Sequence, residues 1–265
     1  MFRRRVTPPP AQRAEWVFAP EGWAREVRGW DTPAIEAAYR RRWPEFLAAV
    51  QGTGTLGVAH EVPESRSIVT DDLGWQSVVT SFGYVLARAA IGRDGISVLD
   101  WGGGPGHYFV LARALLPEVA LDYHSRDLPR LAQLGRELLP EATFHDDDRC
   151  LDRTYDLVVA SDSVQYSPDV AATLARLAAA SAPWLYVAQL PTVHASASFV
   201  VVQRPTAYGY NTEYLGWVVN RGELLDAAAA AGLVLEREFL APGTIDAAGA
   251  PEPAHLHSFL FRRAA

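Results

Sequence analysis

The stretch SVLDWGGGPGHY, from Ser97 to Tyr108, joins a short apolar segment to a cluster of glycines. A second apolar segment, from Phe109 to Leu116, follows at once and has a helical composition. A strand, a glycine turn and a helix in this order form the first unit of a nucleotide-binding α/β fold. Glycines leave the backbone bare, so a ligand can lie against N–H groups at the start of the helix. The stretch therefore predicts a cofactor site.

The spacing of the glycines distinguishes between cofactors. A dinucleotide site requires the spacing GxGxxG. When Gly102 starts this pattern, the third glycine position holds His107, and when Gly104 starts it, that position holds Phe109. Both frames fail. The spacing that fits is DxGxGxG, formed by Asp100, Gly102, Gly104 and Gly106.

This DxGxGxG spacing resembles the first motif of class I S-adenosyl-L-methionine (SAM) methyltransferases. The resemblance implies an α/β, Rossmann-like sheet of seven strands, the last of them antiparallel. It also implies that Gly102, Gly104 and Gly106 bind the methionine and ribose part of SAM, and that Asp100 faces its polar region directly or through water. The predicted cofactor is therefore SAM. A tight glycine turn that binds no ligand is the alternative.

Composition limits the other possibilities. The chain has 265 residues, 49% of them hydrophobic, which is enough for one large domain or one domain with a cap. Its net charge of −7 predicts neither a nucleic-acid nor a membrane partner. All 24 basic residues are arginine, which excludes a Walker-type phosphate loop and lysine Schiff-base chemistry. The single cysteine, Cys150, excludes an intrachain disulfide and a cysteine-based zinc site.

The chain divides near the glycine stretch. Residues 1–12 are rich in arginine and proline and predict a disordered tail. Residues 13–95 contain five of the eight tryptophans together with helical patterns, and predict an N-terminal helical cap. Residues 96–265 predict the SAM-binding catalytic domain. Since the sequence has neither a signal-peptide pattern nor an apolar run of the roughly 18 residues that span a bilayer, we expect a cytoplasmic enzyme.

The cap segment carries a second resemblance. A helix beginning near Pro33 should end at Arg42, because Pro44 follows. Trp75 and Tyr84 lie nearest in sequence to the catalytic domain and are the predicted substrate contacts of the cap. The segment contains the tryptophan pattern Glu15-Trp16, Gly22-Trp23 and Gly29-Trp30-Asp31. This pattern resembles a family of methyltransferases that are often encoded among polysaccharide and secondary-metabolite biosynthesis genes.

An acidic residue at the end of the second strand is expected to bind the ribose hydroxyls of the cofactor. Asp127 is the preferred candidate, because Leu128-Pro129 directly after it predicts the start of a helix. Asp122 is the rival, and choosing it would end the strand about five residues earlier.

The segment from Ala142 to Asp148 predicts a short third strand that ends in acids. The resemblance implies that an acid here, Asp146 or Asp147, accepts the adenine amino group and that Phe144 covers the ring. Three consecutive aspartates also suit a divalent metal, which would need a further ligand such as Asp162. We predict no metal.

The apolar run from Tyr155 to Ser161 predicts a central parallel strand. Its carboxyl end faces the crevice where open α/β sheets bind ligands. Ser161 and Gln165 are therefore predicted to contact the cofactor, and Tyr166 to contact the sulfonium or the acceptor.

Residues 190–220 form a long insertion after the fifth strand, directed toward the substrate in our prediction. His194 is the candidate base, needed only for an acceptor that arrives protonated. Arg204, Tyr208 and Tyr214 are candidate substrate contacts. The resembled family tends to have an arginine just after the fifth strand, where this chain has Gln189.

The predicted function is SAM-dependent methylation of a small biosynthetic molecule at oxygen or nitrogen. Two alternatives remain at this point: a SAM-binding enzyme that displaces methylthioadenosine, and a SAM-binding protein without catalysis. The expected partner is a small-molecule acceptor, and a homodimer stays open.

Overall fold

A mostly parallel sheet with helices on both faces forms the centre of the protein, which a computed structural model describes over residues 14–264. Alternate side chains of one strand enter different cores, as the two-residue period of a strand requires. Val98 packs in the core beneath the first helices, whereas its neighbour Leu99 packs in the core on the opposite face. The central strands are therefore covered on both sides.

The helices and strands are bounded as follows. The helices are α1 (Pro33–Val50), α2 (Leu73–Ala90), α3 (His107–Leu115), α4 (Pro129–Leu138), α5 (Val170–Ala180) and α6 (Arg221–Ala230). The strands are β1 (Trp16–Phe18), β2 (Gly95–Trp101), β3 (Ala120–Arg126), β4 (Thr143–His145), β5 (Tyr155–Ser161), β6 (Ser181–Val193), β7 (Phe199–Gln203), β8 (Tyr214–Asn220), β9 (Leu233–Ile245) and β10 (Ala254–Arg263).

Seven strands form the expected Rossmann-like core. They lie in the order β4-β3-β2-β5-β6-β10-β9, and β10 runs antiparallel to both of its neighbours. Strands β2, β3, β4, β5 and β6 are parallel, so their carboxyl ends share one edge of the sheet. The last strand is antiparallel, as predicted.

The sheet has ten strands rather than the predicted seven. Strand β8 pairs with the carboxyl end of β6, β7 pairs with β8, and β1 pairs with β7. Two of the additional strands come from the insertion at 190–220 and one from the segment predicted to be helical. The difference arises because β6 extends to Val193, five residues beyond Ala188, its last partner of β5, and β8 pairs with this extension.

Helix α1 does not end before Pro44, contrary to the prediction. It continues to Val50, and Trp43, Phe46 and Val50 are buried in the core shared with the sheet. Proline removes one backbone hydrogen bond from a helix, and the burial of these side chains offsets that loss.

The cap segment is joined to the sheet rather than separated from it. Helix α2 packs against β9, β2 and β5, and its residues Phe82 and Leu86 are fully buried. The predicted disordered tail, 1–12, lies outside the described residues. No helix between 14 and 264 combines the length and apolar character needed to cross a membrane.

Candidate functional site

The glycine turn between β2 and α3 requires glycine at three positions. Gly102, Gly104 and Gly106 have φ values of 77°, 57° and 101°, which favour residues without a Cβ atom. A Cβ at Gly102 would also lie 2.3 Å from the Cβ of Ser163. At Gly104 a Cβ would meet only His107, at 3.8 Å. The space beside Gly102 is therefore filled by the protein, whereas the space beside Gly104 is free for a ligand.

Asp127 follows β3 directly and joins it to the glycine turn. Its Oδ2 accepts a hydrogen bond from the Gly104 backbone N–H at 2.7 Å, and its Oδ1 accepts one from the Leu128 N–H at 2.6 Å. Burial raises the pKa of this carboxyl, and the two N–H donors oppose that rise. Asp122, the rival candidate, lies within β3 and pairs with Arg153 at 3.1 Å on the exposed side.

A cavity of about 790 Å³, solvent-open space included, lies against this turn. We call it the glycine pocket. Gly102, Gly104, Asp127 and Ser161 line it from the sheet, and Tyr39 and Glu61 from the cap segment.

Asp100 lies behind the glycine turn rather than in the pocket. A Cβ at Gly103 would lie 2.3 Å from the Asp100 carboxyl, so the side chain fills the space beneath the turn. Oδ2 accepts a hydrogen bond from the Tyr123 hydroxyl at 2.9 Å, while Oδ1 is buried and accepts none. Burial raises the pKa of Asp100 to about 7. The position supports the turn and gives no direct contact with the pocket.

The carboxyl end of β5 supplies the next group of residues. The Ser161 hydroxyl lies 2.7 Å from the Tyr108 hydroxyl and accepts a bond from Gln189 Nε2 at 3.0 Å. Asp162 has a left-handed backbone conformation, φ 48°, which is uncommon outside glycine. Gln165 is buried and donates a hydrogen bond to Asp162. The strand end therefore presents Ser161 and Asp162 to the pocket, with Gln165 behind them.

A second cavity, which we call the outer chamber, adjoins the first. Its walls include Trp75, Gln189, Tyr208, Tyr210 and Tyr214. Four residues line both cavities and form the junction between them: His60, Glu61, Asp162 and Tyr166. A ligand in one cavity can therefore meet a ligand in the other at this junction.

Aromatic and acidic side chains hold the junction in place. The Tyr39 hydroxyl donates a hydrogen bond to Glu61. Trp30 stacks on Tyr214 with ring centroids 4.2 Å apart and meets the edge of Tyr166 at 5.1 Å. Asp162 is exposed to the cavities that it lines, yet desolvation by the surrounding protein raises its pKa well above the ordinary value, with Glu61 adding to the rise.

His107 and His60 form a stack beside the glycine turn. Their rings are 4.6 Å apart, and His107 also packs against Phe46 and Trp43. Burial lowers the pKa of both histidines, so both are neutral at pH 7.

The residues predicted for adenine lie outside the glycine pocket. Phe144 is buried against Gly106 and Gly135, where it fills the space that their Cβ atoms would occupy. Asp146 pairs with Arg136 at 3.1 Å, and Asp147 pairs with Arg149 at 2.7 Å. The carboxylates are thus committed to arginines.

Three further candidates are placed away from both cavities. His194 is exposed, and its ring lies 5.7 Å from that of His257. Tyr84 is 39% exposed on α2 and packs against Phe239. Arg204 pairs with Glu213 at 3.0 Å and lines a separate surface cavity. By contrast, Tyr166, Tyr208, Tyr214 and Trp75 all line the outer chamber.

No sequence pattern singles out several residues of the junction. Tyr39 lies on a helix whose aromatic residues fit core packing, and Glu61 follows His60 in a connection between two helices. By contrast, Trp30 belongs to the pattern Gly29-Trp30-Asp31, and Asp162 and Tyr166 follow the predicted strand that ends at Ser161. Within the part of the chain that the structure describes, no three His, Cys, Asp or Glu side chains are grouped as metal ligands. Asp148, next to the predicted adenine acids, pairs with Arg126 at 2.8 Å.

The glycine pocket fits SAM in two respects. Its floor lacks a side chain at Gly104, and its wall carries a carboxylate at the end of β3. Three carboxylates, Asp127, Glu61 and Asp162, border it beside the single cation Arg126, among the described lining residues. A sulfonium cofactor suits this charge.

Comparison with known proteins gives a family and a fold. The model of a methyltransferase domain matches residues 81–238. No curated protein sequence matches the chain. A solved structure from Galdieria sulphuraria, assigned as a sarcosine dimethylglycine methyltransferase, is similar with a TM-score of 0.53 and 13% identity, over 86% of this chain and 98% of that chain.

Two further solved structures are similar at lower TM-scores. The 1,6-didemethyltoxoflavin-N1-methyltransferase of Burkholderia thailandensis, with bound S-adenosylhomocysteine, gives 0.49 at 16% identity over 71% of this chain and 79% of that chain. The magnesium protoporphyrin IX methyltransferase of Synechocystis gives a TM-score of 0.48 at 14% identity, over 87% of this chain and 98% of that chain.

Proposed function

The chain belongs to the methyltransferase domain family and is a SAM-dependent methyltransferase, and we propose that it methylates a small biosynthetic molecule, at oxygen or nitrogen, held in the outer chamber. The observation that carries this proposal is the junction. His60, Glu61, Asp162 and Tyr166 border both cavities, so a methyl group presented from the glycine pocket faces the outer chamber.

In this proposal SAM lies in the glycine pocket with its ribose at Asp127. The carboxylate already accepts two backbone N–H bonds, which hold it rigidly, and each oxygen has capacity for a further donor. Leu128 and Leu131 are the apolar surface available to the adenine ring. Gly104, where a Cβ would have open space, leaves room for the methionine part.

Methyl transfer is an in-line displacement at the sulfonium carbon, for which a protein supplies alignment and a dry site. SAM supplies the electrophilic methyl group when bound. The chain's contribution is the enclosure by Tyr39, Trp30 and Tyr166 and the orientation of the acceptor by the chamber walls. Asp162 and Glu61 are the carboxylates that could take an acceptor proton at the junction, and Glu61 already accepts from Tyr39, whereas His194 lies outside both cavities. We therefore prefer Asp162 to His194 as the base.

Calorimetric titration tests the cofactor placement. SAM and S-adenosylhomocysteine should bind, whereas NAD and ATP should not, because the glycine frame does not fit a dinucleotide and the chain lacks a phosphate-loop lysine. Binding of NAD without SAM would contradict the proposal. Mass spectrometry of the spent cofactor during turnover then identifies the reaction: S-adenosylhomocysteine indicates methyl transfer, and methylthioadenosine indicates the other displacement.

A further inference from the structure

The outer chamber has an unbalanced charge. Among its described lining residues are four carboxylates, Glu15, Glu61, Asp72 and Asp162, and no arginine. His60 also lines it, but burial lowers the pKa of this histidine and keeps it neutral. The chain's arginines lie elsewhere, many of them paired with acids at the surface, as Arg204 is with Glu213. A ligand in this chamber meets negative charge without a compensating cation from the lining.

Aromatic rings form much of the remaining wall. Tyr208, Tyr210, Tyr214 and Tyr166 lie on one side, and Trp75 faces the chamber from the start of α2. Aromatic faces attract cations, by about 0.5–2 kcal/mol for each well-placed ring. Burial raises the pKa of Tyr210 and Tyr214 far above its usual range, so these rings stay neutral. Aromatic faces and carboxylates together favour a positively charged ligand.

Gln189 adds an independent polar contact. It is only 5% exposed, yet it lines the chamber. Its Nε2 is used in the bond to Ser161 at 3.0 Å, while its amide oxygen accepts no hydrogen bond from the residues described in the structure. Because this oxygen is not among the buried atoms without a partner, it is accessible, and it can accept a hydrogen bond from an N–H group of a ligand in the chamber. The Gln189 amide oxygen is therefore a place where the N–H group of a ligand can donate a hydrogen bond.

The four carboxylates differ in the hydrogen bonds that they already accept from the protein. Asp72 caps α2 by accepting from the Trp75 N–H at 3.0 Å, and Glu61 accepts from the Tyr39 hydroxyl. Among the residues that the structure describes, Glu15 receives only a long bond from Gln203 Nε2, at 3.4 Å, and partial burial raises its pKa. Glu15 lines the outer chamber but not the glycine pocket, so its charge is not required by SAM. A cation other than SAM would stabilise it.

We propose that the acceptor is a small amine, positively charged in solution, which the acidic aromatic chamber binds and whose nitrogen is methylated beside Asp162. This inference rests on the proposed function and narrows its acceptor class from oxygen or nitrogen to nitrogen. The ammonium first gives one proton to the Asp162 carboxylate, which passes it to solvent. The nitrogen lone pair then forms the N–C bond as the C–S bond breaks, and the electron pair of that bond returns to sulfur. The products are the methylated ammonium and S-adenosylhomocysteine.

A matched panel of acceptors tests this proposal. The enzyme is loaded with S-adenosylhomocysteine and titrated with amines and with their isosteric alcohols and carboxylates, such as tyramine, tyrosol and 4-hydroxyphenylacetate, each up to about 10 mM. Amines should bind at least tenfold more tightly than their isosteres. Among compounds that release S-adenosylhomocysteine from SAM, we expect amines only.

Glu15→Gln supplies the matched variant. It should reduce the preference for amines over alcohols by about tenfold, a difference of about 1.4 kcal/mol, and leave S-adenosylhomocysteine binding unchanged. Glu213→Gln, at the surface partner of Arg204, is the control and should not alter the preference. The amine proposal would be overturned if the enzyme methylates an alcohol or an acid but no amine, or if no amine of the panel binds. In either case, SAM binding would still support the proposed function. Failure to bind SAM would reject the proposed function itself.

Discussion

Asp127 and Asp100 show how two carboxylates in neighbouring positions have different tasks. Asp127 faces the glycine pocket and is held by two backbone N–H groups, whereas Asp100 lies beneath the glycine turn with only the Tyr123 hydroxyl as donor. In the proposed function the first binds the ribose of SAM. The second has an incompletely compensated charge, which explains its raised pKa.

We expect Asp127→Asn to weaken SAM binding by roughly ten- to a hundredfold. The change removes the charge and one acceptor, and bonds to charged groups contribute about 1.5–3 kcal/mol each. Calorimetry measures the affinity, and circular dichroism should show that the fold survives. Asp122→Asn is the control, since Asp122 pairs with Arg153 at the surface. If Asp122→Asn abolishes binding and Asp127→Asn does not, the ribose contact is wrongly assigned.

Asp100 makes stability depend on pH. Its pKa is raised from 3.8 to about 7 in the folded protein, so the folded state holds the proton more tightly than the unfolded state. The stabilisation is complete below about pH 4 and is lost as the pH rises toward about 7. Between about pH 5 and pH 7 the loss amounts to at most about 3 kcal/mol.

Urea unfolding of the wild type and Asp100→Asn at these two pH values measures that contribution. The wild type should lose more unfolding free energy than the variant as the pH rises, because asparagine does not titrate. Equal losses in both proteins would show that Asp100 does not carry the effect.

At the scale of elements, helix α4 depends on a glycine in its interior. Gly135 lies against the ring of Phe144, and a Cβ there would be 2.1 Å from the ring. Phe144 in turn reaches Gly106 at the start of α3. One aromatic side chain of β4 thereby sets the distance between α4 and the glycine turn.

Gly135→Ala should therefore destabilise the protein, although alanine is the better helix former by about 1 kcal/mol. Overpacking typically costs about 1–3 kcal/mol, and the 2.1 Å approach places this site at the upper end, so the net loss should be about 2 kcal/mol, measured as a lower melting temperature. Gly83→Ala in α2 is the matched control, because its Cβ would lie 3.6 Å from Leu115, an ordinary contact. It should be neutral or slightly stabilising. Equal effects at both positions would contradict the packing argument.

At the scale of the whole molecule, the cap segment and the sheet share one hydrophobic core. Trp43 and Phe46 of α1 pack in the same cluster as Leu157 of β5 and Tyr186 of β6. Strand β1 adds a further link through its pairing with β7. The predicted boundary near residue 95 therefore does not separate two independent cores, and the described part of the chain should unfold as one unit.

We expect a single cooperative transition in urea, detected at the same midpoint by tryptophan fluorescence and circular dichroism. S-adenosylhomocysteine at a hundred times its dissociation constant should stabilise the whole transition by about 2.7 kcal/mol. NAD at the same concentration is the control and should leave the midpoint unchanged. Two separate transitions, or stabilisation of only one probe's signal, would show that cap and sheet fold independently.

The sequence alone determined the local features of this protein. The DxGxGxG spacing places three glycines where the backbone has positive φ, and the apolar run of β5 has the predicted bounds, Tyr155 to Ser161. Such features depend on neighbouring residues, which the sequence shows directly. The fold that this unit resembles also implied the antiparallel last strand, which is β10 for both of its pairings.

Only the tertiary structure decided what faces the cavities. Tyr39, Glu61 and Tyr210 meet at the junction from a helix, a connection and the insertion, and their contact depends on chain segments far apart in sequence. The same long-range packing turned Phe144 toward Gly135 and placed His194 away from both cavities. A residue type shows what chemistry a side chain can perform, but the packing of distant segments decides which ligand it can reach.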